Sequence, residues 1–182
     1  MQLGMIGLGR MGGNIVRRLM RKGHECVVFD QNAGAAAALA KEGANAGSDL
    51  SDVVRKLKKP RAVWVMLPAG KITEDTVEQL GKLLENGDII IDGGNSFYKD
   101  DVRRAHSLRQ KGIHYVDCGT SGGVWGLDRG YCLMIGGEEP VVEHLDPIFG
   151  ALAPGKGNVT PTPGREKRDA RVERGYVHCG PN

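Results

Sequence analysis

The chain has 182 residues, 28 of them glycine, and a formal net charge of +3. This length suits one domain that buries its own core without disulfide bonds, and so small a net charge gives no argument for a nucleic-acid partner. No apolar run approaches the roughly 20 residues that a membrane-spanning helix needs, and the scattered histidines and cysteines show no spacing typical of metal ligands. We therefore expect a cytoplasmic protein with reduced cysteines and no metal, nucleic-acid or membrane partner.

Short apolar runs alternate with longer segments of helical periodicity along most of the chain. In chain order, the runs predict strands at residues 3–6, 26–29, 62–67, 89–91, 114–116, 131–135 and 175–179. The periodic segments predict helices through residues 15–20, closed by Gly23, and at 35–41, 73–84, 102–110 and 141–152. Such alternation predicts an α/β fold with a doubly wound, mostly parallel sheet of the Rossmann type.

A single dinucleotide-binding domain over residues 1–182 fits this pattern, with one irregular segment inside it. Residues 154–174 are rich in proline, glycine and charge, and they predict an exposed, mobile loop or insertion. Ligands of doubly wound sheets bind where the parallel strands end, at the carboxyl edge of the sheet. The turns that follow the first five predicted strands are therefore expected to line one cleft.

The turn after the first strand has the sequence Gly7-Leu8-Gly9-Arg10-Met11-Gly12. Between a strand and a helix, Gly7 permits the tight turn, Gly9 lets the backbone approach a pyrophosphate, and Gly12 lets the helix pack close to the strand. The free N–H groups and the positive dipole end of that helix would face the phosphates. The pattern predicts dinucleotide binding, and a merely structural glycine turn is the alternative.

Asp30, at the end of the second predicted strand, indicates the kind of dinucleotide. A carboxylate there accepts hydrogen bonds from the ribose hydroxyls of NAD and repels the 2′-phosphate of NADP. Gln31 and Asn32 follow it, where a site for NADP normally has an arginine. The sequence therefore predicts NAD rather than NADP, and a helix-capping role for Asp30 is the alternative.

Polar and glycine-rich segments follow the fourth and fifth predicted strands. Asn95 supplies an amide after the fourth strand. After the fifth strand, Ser121 supplies a hydroxyl group, and Gly122 and Gly123 supply accessible backbone N–H groups. Neutral donors of this kind suit an oxygen-rich anionic substrate, although each segment alone is also compatible with an ordinary turn. We expect the two segments to form a substrate wall beside the cofactor.

The segments that give the chain its resemblance to a known family are residues 7–12, 66–70, 91–96 and 121–126. Tyr98 and Asp101 extend the third of them. The chain resembles the N-terminal NAD-binding domain of decarboxylating 6-phosphogluconate dehydrogenases, most of all their shorter, NAD-preferring bacterial type, within the β-hydroxyacid dehydrogenase superfamily. Asn95 is the main distinguishing residue, because hydroxyisobutyrate-type relatives usually carry a different segment there.

This resemblance implies that the chain is the NAD-binding portion of an enzyme that oxidatively decarboxylates 6-phosphogluconate to ribulose 5-phosphate. The residues that it places at the cofactor are Leu67, Pro68 and Ala69, together with Leu8, Arg10 and Met11 of the glycine turn. The residues that it places at the sugar acid are Asn95, Ser121, Gly122 and Gly123.

The resemblance also implies parts that the 182 residues do not contain. The general base lysine and general acid glutamate of the family are expected beyond Asn182, as is the all-helical C-terminal domain through which the longer protein would form a homo-oligomer. We therefore expect no catalytic residue in this chain and little or no turnover by it alone. The alternatives are a domain of another β-hydroxyacid dehydrogenase and a non-catalytic NAD-binding module.

Overall fold

The computed structural model describes residues 1–158, 160, 163–164 and 169–182. Within these ranges the eight strands are β1 (Gln2–Ile6), β2 (Glu25–Phe29), β3 (Asn45–Ala46), β4 (Ala62–Val65), β5 (Ile89–Asp92), β6 (His114–Ser121), β7 (Cys132–Gly136) and β8 (Tyr176–Gly180). The α-helices of the same ranges are α1 (Arg10–Arg21), α2 (Ala33–Lys41), α3 (Leu50–Lys56), α4 (Lys71–Leu83), α5 (Tyr98–Arg109), α6 (Gly126–Arg129) and α7 (Glu139–Leu152). Short 3₁₀ helices lie at Gly123–Trp125 and Val172–Arg174.

The strands form one sheet in the order β3-β2-β1-β4-β5-β6-β7-β8. Neighbouring strands from β3 to β6 are parallel, β6 and β7 are antiparallel, and β7 and β8 are parallel. The predicted α/β fold with a doubly wound, mostly parallel sheet is confirmed. β7, the sixth predicted strand, is antiparallel to β6. Residues 122–131, which connect the two strands, are too few for the crossover of about a dozen or more residues that a parallel pair needs.

Hydrophobic side chains are buried on both faces of the sheet, which explains why its strands are continuously apolar. On one face, Trp64 of β4 packs in a cluster with Leu19 of α1 and Phe149 of α7. On the other face, Val63 packs in a cluster with Leu80 of α4. The rings of Trp64 and Phe149 meet edge to face with centroids 6.2 Å apart. Packing on both sides fixes the positions of the strand ends that the turns extend.

Several elements differ from their prediction. The sequence pattern predicts neither β3, with two residues, nor α3, with seven, because elements so short show no period. β6 continues to Ser121 instead of ending at Val116, since its second half pairs with β7. α5 begins at Tyr98, four residues before its predicted start at residue 102.

The segment predicted to be exposed at residues 154–174 is described in part. Positions of this segment outside the described residues are 159, 161–162 and 165–168. At its ends, the Gly155 N–H group donates to the Arg174 carbonyl oxygen over 3.0 Å, and Arg171 lies 3.9 Å from Asp146 of α7. The first contact joins the two ends of the segment to each other, and the second attaches the segment to α7.

The four cysteines are unpaired, with Cys26 and Cys118 buried and Cys132 and Cys179 exposed. Burial raises the pKa of the Cys26 and Cys118 thiols to about 12. Within the described ranges, no helix combines the length and apolar character needed to cross a bilayer. The same ranges contain no group of three or more histidine, cysteine or carboxylate side chains arranged to hold a metal ion.

Candidate functional site

The glycines of the first turn have different steric environments. Gly7 has a φ of +92°, and a Cβ atom there would overlap the carbonyl oxygen of Met66. A Cβ atom at Gly12 would overlap the carbonyl oxygen of Gly7 and lie 3.1 Å from its carbonyl carbon. At Gly9, by contrast, a Cβ atom would meet no atom within 4 Å. The backbone is therefore tightly packed at Gly7 and Gly12 and open at Gly9.

The N-terminus of α1 has no side-chain cap and no acidic residue in its first turn. The first backbone bond of the helix runs from the Gly13 N–H group to the Gly9 carbonyl oxygen, over 2.9 Å. Among the described residues, the N–H groups of Arg10, Met11 and Gly12 consequently have no hydrogen-bond acceptor. Free N–H groups and the positive end of the helix dipole together favour an anion at this position.

Asp30 follows β2 and points its carboxylate at the glycine turn. Its Oδ2 atom accepts a hydrogen bond from the Leu8 N–H group over 2.6 Å, and its Oδ1 atom accepts one from Asn32 N–H over 2.7 Å. The N-cap of α2 is Asn32, whose side chain accepts from Gly34 N–H over 3.0 Å. The alternative that Asp30 caps this helix is therefore wrong, and its carboxylate lies directly beside the entrance of α1.

A cleft of about 460 Å³ opens next to Asp30, between β2, α3 and α4. Its apolar lining includes Leu50 of α3, Leu67 after β4, and Ile72 and Leu83 of α4. The turns after β1, β2 and β4 therefore line one space, which combines apolar side chains with the Asp30 carboxylate. The turns after β5 and β6 do not line this cleft, so the prediction that the turns after the first five predicted strands line one cleft is wrong for these two.

The turn after β4 joins this cleft to the next strand. Leu67 is half-buried, and Pro68 and Ala69 are exposed. The Pro68 carbonyl oxygen accepts a hydrogen bond from the Thr73 hydroxyl over 2.8 Å, which fixes the turn against the start of α4. A Cβ atom at Gly94 would lie 2.7 Å from the Leu67 carbonyl oxygen, so the turns after β4 and β5 are in direct contact.

The turn after β5 carries Asn95, whose side chain is exposed. Asp92, the last residue of β5, accepts a hydrogen bond from Gly94 N–H over 2.9 Å and one from the Ser96 hydroxyl over 2.6 Å. These bonds flank Asn95 on both sides. Among the described residues, no group accepts from or donates to the Asn95 carboxamide. The amide is thus exposed to solvent on a loop that Asp92 holds in place.

A buried polar cluster lies beneath this loop, and sequence reasoning missed it. Asp92 also accepts from Arg104 Nη1 of α5 and from the Tyr115 hydroxyl of β6, each over 3.1 Å. The Tyr115 hydroxyl shares its single proton between Asp92 and Asp101, whose Oδ1 atom lies 2.8 Å away. Burial raises the pKa of Asp101 to about 6, against the opposing effect of the Tyr115 hydrogen bond. Burial likewise raises the pKa of Tyr115 far above its usual value.

Ser121 lies at the end of β6, beyond the edge of the sheet at which β5 ends. Asp117 is the partner of Asp92 in the β5–β6 register, so Ser121 lies four residues beyond it. Ser121, Gly122 and Gly123 are exposed, and Gly122 and Gly123 have φ values of +153° and +51°. These residues therefore form an open, glycine-bent end to a strand that projects past β5.

Arg18 connects α1 to the segment that follows these glycines, a contact that sequence reasoning also missed. Its Nη1 atom donates to the carbonyl oxygens of Leu127 and Asp128 over 3.2 and 3.3 Å. Its Nε and Nη2 atoms donate to the carbonyl oxygens of Ala151, Leu152 and Ala153 over 3.1, 3.0 and 2.8 Å. Arg18 is 8% exposed, and burial lowers its pKa.

The sheet order, the glycine turn at α1 and the carboxylate after β2 define the class of Rossmann-type α/β domains. The family described as the NAD binding domain of 6-phosphogluconate dehydrogenase matches residues 2–163. The chain belongs to this family, and the resemblance that its motifs indicate is confirmed.

Known relatives agree with this assignment. The chain is 43% identical over 155 residues to the NAD(+)-dependent, decarboxylating 6-phosphogluconate dehydrogenase of Haloferax volcanii, covering 85% of this chain and 51% of that protein. The structure of Plasmodium falciparum 6-phosphogluconate dehydrogenase matches with a TM-score of 0.83 and 25% identity, over 100% of this chain and 37% of that one.

A 3-hydroxyisobutyrate dehydrogenase from Mycobacterium tuberculosis also matches, with a TM-score of 0.81 over 99% of this chain and 54% of that one. At 22% identity, that match shows a common fold alone. The chain spans about half the length of the first curated relatives that it matches, 51% and 54%.

Proposed function

We propose that this domain binds NAD at the entrance of α1 and serves as the cofactor-binding portion of an enzyme that oxidatively decarboxylates 6-phosphogluconate to ribulose 5-phosphate. The observation that carries the proposal is the combination of free N–H groups at Arg10, Met11 and Gly12 with the Asp30 carboxylate beside them. The pyrophosphate would accept from these N–H groups, with Gly9 leaving room for it. The adenosine would enter the adjoining cleft.

The preference for NAD rests on the charge at Asp30. Its carboxylate already accepts from backbone N–H groups of Leu8 and Asn32, which hold it in place while its remaining lone pairs can accept from ribose hydroxyls. The dianionic 2′-phosphate of NADP would meet this negative charge at close range. Gln31 lines the cleft beside it and supplies no compensating positive charge.

Replacement of Asp30 by asparagine tests this preference. Wild-type protein is expected to bind NAD more tightly than NADP in calorimetric titrations. Asp30→Asn should weaken NAD binding by about tenfold, because it loses a charged acceptor worth about 1.4 kcal/mol or more. The same substitution should reduce the difference in affinity between NAD and NADP. Glu25→Gln is the matched control, since Glu25 is an exposed carboxylate at the opposite end of the same strand. Equal affinity of the wild type for NAD and NADP would contradict the proposal.

The substrate half of the proposal concerns Asn95, Ser121, Gly122 and Gly123. Their carboxamide, hydroxyl and N–H groups can donate to the hydroxyl and carboxylate oxygens of a sugar acid. None of them is a base strong enough to remove the hydroxyl proton during hydride transfer to NAD, a role worth about 10²–10⁴ in rate. We therefore expect negligible NADH formation when the pure 182-residue chain is mixed with NAD and 6-phosphogluconate. Robust turnover in that assay would overturn this expectation.

A further inference from the structure

The loop that carries Asn95 is held from below by a buried charge. Asp92 is 2% exposed and uses both carboxylate oxygens: Oδ1 accepts from Gly94 N–H over 2.9 Å, and Oδ2 accepts from the Ser96 hydroxyl over 2.6 Å. Because Gly94 and Ser96 are the chain neighbours of Asn95, these bonds fix the backbone before and after it. The position of the backbone from which the exposed carboxamide projects therefore depends on a side chain that is itself almost out of contact with solvent.

Arg104 makes further hydrogen bonds to Asp92 and to the loop. It is 3% exposed, donates to Asp92 over 3.1 Å and to the Ser96 hydroxyl over 3.3 Å, and reaches Glu74 of α4 over 2.9 Å. Hydrogen bonds from Arg103 and then from Arg104 lower the pKa of Glu74 to about 2, so this partner is anionic at neutral pH. The loop is thus connected through one guanidinium group to α4 and α5.

Stability alone is a weak reason for this arrangement. A buried ion pair is often no more stabilising than apolar residues of the same volume, because both charges lose their hydration. A fully hydrogen-bonded buried network does, however, hold one conformation in preference to others. At this position, the conformation that it holds is the loop that presents Asn95.

We propose that Asp92 and Arg104 are positioning residues that orient the Asn95 carboxamide toward the sugar acid, an inference that rests on the proposed function. They do not touch the substrate. Their effect is that Asn95 meets its ligand already ordered, so binding does not have to fix a free loop.

The test is a nuclear magnetic resonance titration of NAD-saturated protein with 6-phosphogluconate, followed at the Asn95 side-chain amide signals. Asp92→Asn keeps the shape of the side chain but removes its charge and one acceptor. It should weaken 6-phosphogluconate binding by about tenfold or more while NAD affinity changes by less than about twofold. The backbone order parameters of residues 94–96 should fall from about 0.85 toward 0.6 in the same variant.

Further variants distinguish an effect on the position of the Asn95 loop from an effect on the stability of the fold. Ser96→Ala removes two bonds to the loop, one to Asp92 and one from Arg104, and leaves the Asp92–Arg104 pair in place, so it should fold normally and still weaken substrate binding. Asp88→Asn is the matched control, because it removes the charge of another buried carboxylate, 1% exposed, that accepts from Arg61 Nη1 over 2.9 Å at the opposite end of β5. It should lower the thermal unfolding temperature and leave substrate affinity unchanged.

The possible results test the positioning role and the proposed function separately. If wild-type protein binds 6-phosphogluconate and both Asp92→Asn and Ser96→Ala bind it equally well, the positioning role is wrong and the proposed function stands. If wild-type protein binds NAD and shows no response to the sugar acid at millimolar concentration, the proposed substrate is wrong and the positioning role fails with it. Loss of substrate affinity in Asp88→Asn equal to that in Asp92→Asn would assign the effect to general stability and contradict the positioning role.

Discussion

Replacement of Gly12 by alanine is expected to weaken NAD binding by about tenfold or more and to lower the free energy of unfolding by about 1–3 kcal/mol. The added methyl group would overlap the carbonyl oxygen of Gly7, a backbone atom that cannot rotate away. Either α1 moves outward from β1 or the glycine turn opens. Each adjustment displaces the N–H groups of Arg10 and Met11 from the position in which the pyrophosphate would meet them.

The neighbouring glycine provides the matched control. A Cβ atom at Gly13 would lie 3.4 Å from Arg17 Nη1 and 3.5 Å from the Leu8 carbonyl oxygen, which is ordinary contact. Gly13→Ala should therefore bind NAD like the wild type, and the better helix propensity of alanine should raise stability by up to about 1 kcal/mol. Calorimetric titration with NAD measures the affinity of both variants, and urea unfolding measures their stability. Equal NAD affinity of Gly12→Ala and Gly13→Ala would refute the steric explanation.

Replacement of Arg18 by methionine is expected to destabilise the domain by about 2–4 kcal/mol. The guanidinium group donates to the carbonyl oxygens at the C-terminal ends of α6 and α7, where the helix dipoles favour a positive charge. Methionine would fill much of the volume but leave these carbonyl groups without their donors. The free energy of unfolding in urea measures the effect.

Arg21, one turn further along α1, is the control for this change. Its side chain is 58% exposed and pairs with the exposed Asp128 carboxylate over 3.3 Å. A pair at the surface contributes little, so Arg21→Met should change stability by no more than about 0.5 kcal/mol. If both methionine variants unfolded at the same urea concentration, the carbonyl contacts of Arg18 would have no measurable role in stability.

Local steric rules made the cofactor end of the site predictable from sequence. The glycine turn, the helix after it and the position of Asp30 all lie within 30 residues of the N-terminus, and each follows from the backbone geometry of a strand–turn–helix unit. The cleft wall supplied by α3 was harder to predict. Its signal was Asp49, whose side chain caps the helix by accepting from Asp52 N–H over 2.8 Å.

Contacts between distant parts of the chain were beyond any pattern in the sequence. Arg18 and Ala153 are 135 positions apart, and Tyr115 and Asp92 are 23 apart, with no period that would relate them. The extent of β6 to Ser121 depends on pairing with β7, and the direction of β7 depends on the short connection before it. The fold and the position of Asp30 beside the glycine turn were therefore predictable, whereas the hydrogen-bond network around Asp92 and Arg104 became visible only in three dimensions.

The central claim is that NAD binds with its pyrophosphate at the start of α1, and backbone amide resonances test it most directly. On titration with NAD, the amide signals of Gly9, Arg10, Met11 and Gly12 should show the largest shifts, and those of Glu138 and His114 at the opposite edge of the sheet should stay in place. Large shifts confined to other parts of the domain, with the α1 entrance unaffected, would contradict the account.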